Sequence, residues 1–439
     1  MGETLLTVWQ ETVRRDPDAP AVIDGATGRC WTRRALAQAA ETWRAALPAG
    51  TGLAGRRVVM AEPNGARWFE VFLGLLQAGA VPVPTDPTEP APARLATAAA
   101  LGAAAGWHDG RFELLDTGRR PRRHGACLVK LTSGSTGAPR ALEFTHAQML
   151  ADGRQVCAGM GLLPADLNLA AIPLGHSYGL GNIVIPLLIH GVSLLCPAGP
   201  LPQALAADAA RWRPTVFPAV PTLLRALVRS DLPAGALDSL RLVISAGAPL
   251  PPEVALAFRA QFGRGVHNFY GSSETGGITF DRTGTAALTG RSVGTPLPGV
   301  RLEFRGGRRF TVTSAAVRGR GRFSPADLAE LDAAGELVLL GRTGRTVKIG
   351  GRRLDLGEVE RALLALPGVR AACAGPHPDR PDAMVAAVAA DWPAADLRAQ
   401  LAARVAAWKI PKKILVLPEL PQTVRGKLDR RRIEELLRA

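Results

Sequence analysis

The chain is short of the residues that staple, chelate or anchor. Its five cysteines, Cys30, Cys127, Cys157, Cys196 and Cys373, are odd in number and lack CxxC spacing. That excludes a disulfide framework and a cysteine-built zinc site. Seven histidines give no HxH or HExxH pair, so no resident metal centre of that kind is expected. Aromatic residues make up only 5% of the chain, too few for the stacking platforms of a nucleic-acid binder. Long apolar runs are missing too. The stretch 183–198 is interrupted by Pro186 and His190 and falls short of the roughly 18 apolar residues a spanning helix needs. The first forty residues are broken by charges, so no signal peptide is expected, and the expected location is the cytoplasm. Acidic residues are outnumbered, 38 Asp and Glu against 53 Lys and Arg, for a formal net charge of +15. The basic residues are nearly all arginine and scattered. The one tight cluster, 119–123, is broken by Pro121 and reads as a solvated loop. The excess suits anionic small molecules or acidic protein partners rather than nucleic acid or a membrane surface.

What the chain has is length and alternation. At 439 residues a single core is not expected, because cores stop growing near roughly 250–300 residues; a large domain and a smaller one are. Apolar spacing predicts helices over 36–47, 68–80, 147–158, 201–212, 221–229 and 252–262. Strands are predicted at 58–60, 81–84, 128–130, 167–172, 192–196, 216–217, 240–245 and 266–270. Such alternation predicts an α/β fold with a mostly parallel sheet covered by helices. After about residue 290 the texture changes to short antiparallel strands, 300–304, 310–312 and 336–340. A hinge over 341–344 is expected to divide an N-terminal core, 1–342, from a C-terminal domain, 343–439.

The densest chemical signal is Leu131-Thr132-Ser133-Gly134-Ser135-Thr136-Gly137-Ala138-Pro139-Arg140. Hydroxyls alternate with glycines directly after a predicted strand, so backbone N–H groups and side-chain donors can wrap an anion. No Walker A register fits it, and taken alone the segment reads more readily as a solvated turn.

It does not stand alone. The segment resembles the phosphate-binding loop of the adenylate-forming superfamily of acyl-CoA synthetases, nonribosomal-peptide adenylation domains and luciferases, and further matches occur in that family's order. Pro173-Leu174-Gly175-His176-Ser177-Tyr178-Gly179 is similar to its acid-pocket motif, and Ser245-Ala246-Gly247-Ala248-Pro249-Leu250 to the strand and turn that floor the pocket. Tyr270-Gly271-Ser272-Ser273-Glu274 resembles the Tyr-Gly-x-Thr-Glu signature, and 293–296 and 341–352 resemble the next two. Pro421-Gln422-Thr423-Val424-Arg425-Gly426-Lys427-Leu428-Asp429-Arg430 is similar to the C-terminal lysine motif. With 15–21 and 77–84 also family-like, the resemblance spans essentially the whole chain.

The resemblance implies a large N-terminal domain carrying a small β-barrel-like subdomain, and a small mobile α+β C-terminal domain. It implies ATP-dependent activation of a carboxylic acid to an acyl-adenylate with release of pyrophosphate. Transfer to the thiol of coenzyme A, or to the phosphopantetheine of an acyl carrier protein, comes next. Lys427, His176 and Glu274 are then the catalytic groups. Thr132, Ser133, Gly134, Ser135, Thr136, Gly137 and Arg140 hold phosphates; Ser273 contacts the α-phosphate; Tyr270 stacks near adenine, beside Gly247, Ala248 and Gly271. Asp327 and Arg342 bind ribose, Lys348, Gly350 and Gly351 complete the nucleotide contacts, and Mg²⁺ rests on Glu274 and Thr136.

Three positions depart from the family's pattern. Arg140 replaces a lysine, Gly344 stands where Asp or Lys is usual, and Pro325-Ala326 precedes Asp327 in place of Thr-Gly. Ser324-Pro325-Ala326-Asp327 reads equally as a helix N-cap with Pro at the first helical position. These departures, in a chain shorter than most relatives, leave a non-catalytic adenylate-binding protein as the alternative. Between Leu174 and Ile185 there is no carboxylate, and a buried substrate ammonium without a partner is costly. An acyl or aryl acid is therefore expected rather than an amino acid, in a pocket walled by Tyr178, Gly179, Asn182, Val220, Gly247, Ala248 and Gly276.

Overall fold

The computed structural model describes residues 2–89, 91–115, 125–132, 140–233, 235–342, 346–349, 352–380, 383–405, 407–423 and 426–438. Two compact units form, Met1–Glu303 with Thr311–Phe323, and Phe304–Phe310 with Ser324–Ala439.

The first unit is built on a nine-stranded sheet. Across it lie Thr295–Pro296, Gly276–Phe280, Val266–Ser272, Leu242–Ser245, Val216–Ala219, Leu167–Leu169, Ser193–Cys196, Pro20–Asp24 and Cys30–Thr32. From Val266–Ser272 to Pro20–Asp24 the neighbours run parallel, and the outer strands are antiparallel. Parallel strands are covered on both faces, which is why Val216–Ala219 and Leu242–Ser245 are buried at every residue. A second sheet orders Val81–Pro84, Arg57–Ala61, Ala105–His108 and Arg111–Leu114. Trp68, Phe69 and Phe72 of helix Ala66–Gln77 are buried in the core cluster that also takes in residues of both sheets. Local chemistry starts the helices where they begin: Thr145 and Gln148 close a capping box at His146–Met160, and Thr32 caps Arg33–Ala45.

The predicted helices are present to within a few residues at their ends. The predicted strand 240–245 starts two residues early, at Leu242 in the structure, and one predicted strand runs too far at its C-terminal end. The run 167–172 leaves the sheet after Leu169, because Asn64 captures the next residues: its side-chain amide donates to the carbonyls of Ala170 and Ile172.

The second unit holds an antiparallel pair, Asp327–Leu331 with Leu337–Arg342, and a second pair, Thr346–Ile349 with Arg352–Asp355. It also holds a three-stranded sheet, in which Met384–Ala390 lies between Val369–Pro376 and Lys413–Leu417. Helices Leu356–Leu364, Ala394–Ala402 and Arg430–Arg438 complete it. The pair 327–342 falls in this unit, ahead of the expected division after 342. Arg361 of helix Leu356–Leu364 donates to the carbonyl of Leu340, tying that pair to the unit's helical layer. The helix N-cap reading of Ser324–Asp327 is corrected: Asp327 opens a strand. The segment expected to be barrel-like carries a three-stranded sheet, Arg301–Phe304, Phe310–Thr313 and Arg322–Phe323. Among the described residues no helix is long and apolar enough to cross a membrane.

Candidate active site

In the first unit the family-like motifs sit at or just beyond strand ends. The strand Ala126–Thr132 and its partner Arg140–Thr145 bring Thr132 opposite Arg140, so the two described ends of the Ser/Thr/Gly segment face each other across a hairpin. Ser133, Gly134, Ser135, Thr136 and Gly137 lie outside the described residues.

The His176 segment is fixed by packing. Asn64 Oδ1 accepts the N–H of Leu174 at 3.0 Å, so one side chain governs the approach from residue 170 to residue 174. His176 then precedes helix Ser177–Gly179, which continues through a π segment, Leu180–Val184, into Ile185–His190. Gly179 is obligatory, since a Cβ there would overlap the carbonyl oxygen of Pro173. The spelling Gly175-His176-Ser177-Tyr178-Gly179 is that of a hydrolase nucleophile elbow, but Ser177 Oγ is engaged by Ser273 Oγ at 2.8 Å. That bond ties the histidine segment to the Tyr270–Glu274 segment. Tyr178 reaches a third motif, donating its hydroxyl to the carbonyl of Ile244 at 3.3 Å, one residue before Ser245. Desolvation pushes this phenol well above the ordinary tyrosine range. The π segment has a local cause: Pro186 has no N–H to return to the carbonyl of Asn182, and Asn168 donates to that carbonyl instead at 3.5 Å.

The turn beyond Tyr270 is held by Thr275, fully buried, whose Oγ1 accepts the N–H of Ser272 and donates to the carbonyl of Gly276. It presents Ser273 and Glu274 half-buried. The backbone carbonyl of Glu274 accepts from Arg318 at 2.9 Å. Among the described residues its carboxylate has no ion-pair partner, and no cluster of three or more His, Cys, Asp or Glu forms. Mg²⁺ fits such a place, because it takes one or two carboxylates and keeps its remaining positions for water and phosphate.

Beneath these segments lies a feature the sequence reading missed. Lys130 Nζ is 3.7 Å from Asp152 Oδ2, with the two side chains 1% and 4% exposed. Burial pulls the lysine ammonium below its ordinary range against the opposing charge of Asp152. Asp152 Oδ1 accepts the N–H of Gly277 at 2.9 Å. Gly276, at φ +70°, has no room for a Cβ because the same carboxylate fills that space. Asp152 thus stands beside the expected acid pocket already neutralised by Lys130, so it offers no free charge to a substrate ammonium. A signal was present: a lysine inside the apolar run Cys127-Leu128-Val129-Lys130-Leu131 needs a buried partner.

In the second unit Asp327 and Arg342 are direct partners across the antiparallel pair. Lys427 is exposed, on a segment closed by backbone bonds: Thr423 N–H to Lys427 O at 2.7 Å and Asp429 N–H to Pro421 O at 2.8 Å. Arg430, three residues on, is anchored in the unit. Its guanidinium donates to Glu360 Oε1 at 3.0 Å and Cys373 Sγ at 3.2 Å, and Glu360 Oε1 also accepts the N–H of Ala374. Gly344, Gly350 and Gly351, and the side chains of Arg342 and Lys348, lie outside the described residues.

Comparison with known proteins places the chain in a family. The family model described as AMP-binding enzyme matches residues 9–105 and 95–306, and that described as AMP-binding enzyme C-terminal domain matches 358–427. The chain belongs to the AMP-binding enzyme family. It is 29% identical to the sulfoacetate–CoA ligase of Cupriavidus necator, over 98% of this chain and 97% of that protein. It is 28% identical to a feruloyl-CoA synthase of Amycolatopsis sp., over 94% of this chain and 95% of that one. The ATP-bound crystal structure of MatB from Rhodopseudomonas palustris superposes with a TM-score of 0.84 over 99% of both chains at 23% identity, a likeness of fold.

Proposed function

We propose that this enzyme activates an acyl or aryl carboxylic acid as its adenylate, releasing pyrophosphate, and then passes the acyl group to the thiol of coenzyme A. The observation that carries the reading is the joining of three motif segments in one unit, through Ser177–Ser273 and Tyr178–Ile244, in a chain whose full-length relatives include CoA ligases. An acid is preferred over an amino acid because Asp152 is held by Lys130.

The residues divide the work as charge develops. A carboxylate attacks the α-phosphorus of ATP, and negative charge builds on the α-phosphate and the departing pyrophosphate. Preorganised donors and cations stabilise that charge without reorganising. Thr132, Ser133, Gly134, Ser135, Thr136, Gly137 and Arg140 take the phosphates, and Ser273 the α-phosphate. His176 orients the carboxylate, and Lys427 neutralises carboxylate and α-phosphate oxygens. Tyr270, Gly271, Gly247 and Ala248 border the adenine. Asp327 and Arg342 take the ribose hydroxyls, with Lys348, Gly350 and Gly351 beyond them. Mg²⁺, when bound by Glu274 and Thr136, supplies charge neutralisation at the phosphates.

The test is ATP- and Mg²⁺-dependent pyrophosphate release over a panel of sulfonated short-chain, fatty, benzoic, cinnamic and amino acids, with and without CoA. Release with an acyl or aryl acid and conversion to its CoA thioester are expected. Release with amino acids alone overturns the substrate class, adenylate that CoA leaves intact moves the acceptor to a carrier protein, and silence throughout favours a non-catalytic adenylate binder. Lys427→Ala is expected to abolish pyrophosphate release while sparing attack of CoA on supplied acyl-adenylate.

A further inference from the structure

The buried pair Lys130–Asp152 has no part in the chemistry just described, yet it touches elements that lead to it. Burying two opposite charges costs more than their attraction returns unless geometry and further hydrogen bonds make up the difference. Such a pair is therefore a poor stabiliser, and its best-attested use is to fix a register. Here one carboxylate takes the ammonium of Lys130 and the backbone N–H of Gly277, and packs close to Gly181. Lys130 comes from the strand Ala126–Thr132 and Asp152 from helix His146–Met160. Gly277 at the start of strand Gly276–Phe280 donates to Oδ1, and a Cβ on Gly181 of the π segment would lie 3.3 Å from Oδ2. The lysine ammonium also rests 4.4 Å over the ring of Phe144, on the partner strand Arg140–Thr145. Three of these elements adjoin candidate residues: the strand ends at Thr132, the π segment continues the helix after His176, and Gly276 comes directly after the Ser273–Thr275 turn.

We propose that Lys130 and Asp152 are positioning residues, a buried couple that holds Gly276–Gly277 and the helix after His176 in register with the strand ending at Thr132. The phosphate-binding and acid-binding parts of the unit thereby keep one separation. The acid half of this statement rests on the adenylation reading; the nucleotide half rests on membership of the AMP-binding family.

Full-length Asp152→Asn, Lys130→Met and the double variant are compared with wild type by thermal melting, by calorimetric affinity for MgATP, and by KM for the preferred acid in pyrophosphate release. Asp152→Asn keeps the volume and an acceptor for Gly277 but strands the lysine charge. It is expected to weaken ATP binding and raise the acid KM, each about tenfold, as misplacement of site groups does. The double variant removes both charges and is expected to melt at or above the wild-type temperature while retaining the tenfold losses. That result separates positioning from stability, and it decides the matter even if a single variant does not fold. Wild-type ATP affinity and acid KM in the double variant, or single variants that change melting alone, overturn the proposal. If wild type binds ATP but releases pyrophosphate with no acid, the adenylation reading fails, and the ATP affinities of the variants still decide whether the pair positions the nucleotide half.

Discussion

Gly179 shows how one position can be settled by a single neighbouring atom. Its missing Cβ leaves room for the Pro173 carbonyl, so Gly179→Ala is expected to cost about 1–3 kcal/mol of stability, as overpacking does, and to abolish acid activation. Chemical denaturation and pyrophosphate release check the two parts separately. His146 gives a pH-dependent counterpart. Its Nδ1 accepts the N–H of Leu5 at 3.1 Å, and desolvation lowers its pKa. The unfolded chain therefore binds the proton more readily than the folded one, and stability rises with pH. This contribution is complete above the ordinary histidine pKa of about 6.5 and is lost as pH falls from there through the lower folded value. Melting temperatures measured between about pH 8 and pH 5 are expected to show that loss in wild type and a flatter profile in His146→Asn. At this scale the sequence was a partial guide. The candidate residues His176, Tyr270, Ser273 and Glu274 could be singled out because each belongs to a contiguous spelling. Asn64 and Asp152 could not, and Lys130 signalled only its need for a buried partner, because the groups they meet, at 170–174, at 152 and at 276–277, are brought to them by the fold alone.

Elements were more legible than contacts, since hydrophobic spacing reports which face a segment buries and little else. Helix Pro252–Phe262 and strand Val81–Pro84 have the bounds their spacing predicts. The strand expected to 172 failed because Asn64 captures the carbonyls of Ala170 and Ile172, a competition invisible in apolar spacing. The π segment 180–184 was equally hidden, as it depends on Pro186 and on Asn168 from another strand. Ser324–Asp327 was open to a ribose-binding reading and to a helix start, because Ser-Pro-x-Asp suits a helix N-cap; pairing with Leu337–Arg342 overturns the helix start. An element-scale prediction concerns helix Arg430–Arg438, whose first residue is clamped by Glu360. Arg430→Met is expected to loosen the segment carrying Lys427, lowering the turnover rate of pyrophosphate release about tenfold with little change in KM for ATP or acid. CoA attack on supplied acyl-adenylate is expected to be spared; equal loss in both half-reactions overturns this.

Over the whole molecule, the two compact units and the two family matches divide the chain between the proposed acid and phosphate residues on one side and Lys427 on the other. Gly344 lies outside the described residues, and its permissive backbone suits a joint that turns between half-reactions. Gly344→Pro is expected to affect pyrophosphate release and thioester formation unequally, as single-turnover assays of each would show; no change in either rules the joint out. The nine-stranded sheet carries a further consequence, for how the chain is made. Val22 pairs with Leu194, so the strand Pro20–Asp24 leaves the ribosome long before its parallel neighbour exists. At about 5–20 residues per second the wait is roughly 9–35 s. During synthesis that early strand is an open edge, and the first unit's main sheet cannot close on the nascent chain until Ser193–Cys196 has emerged.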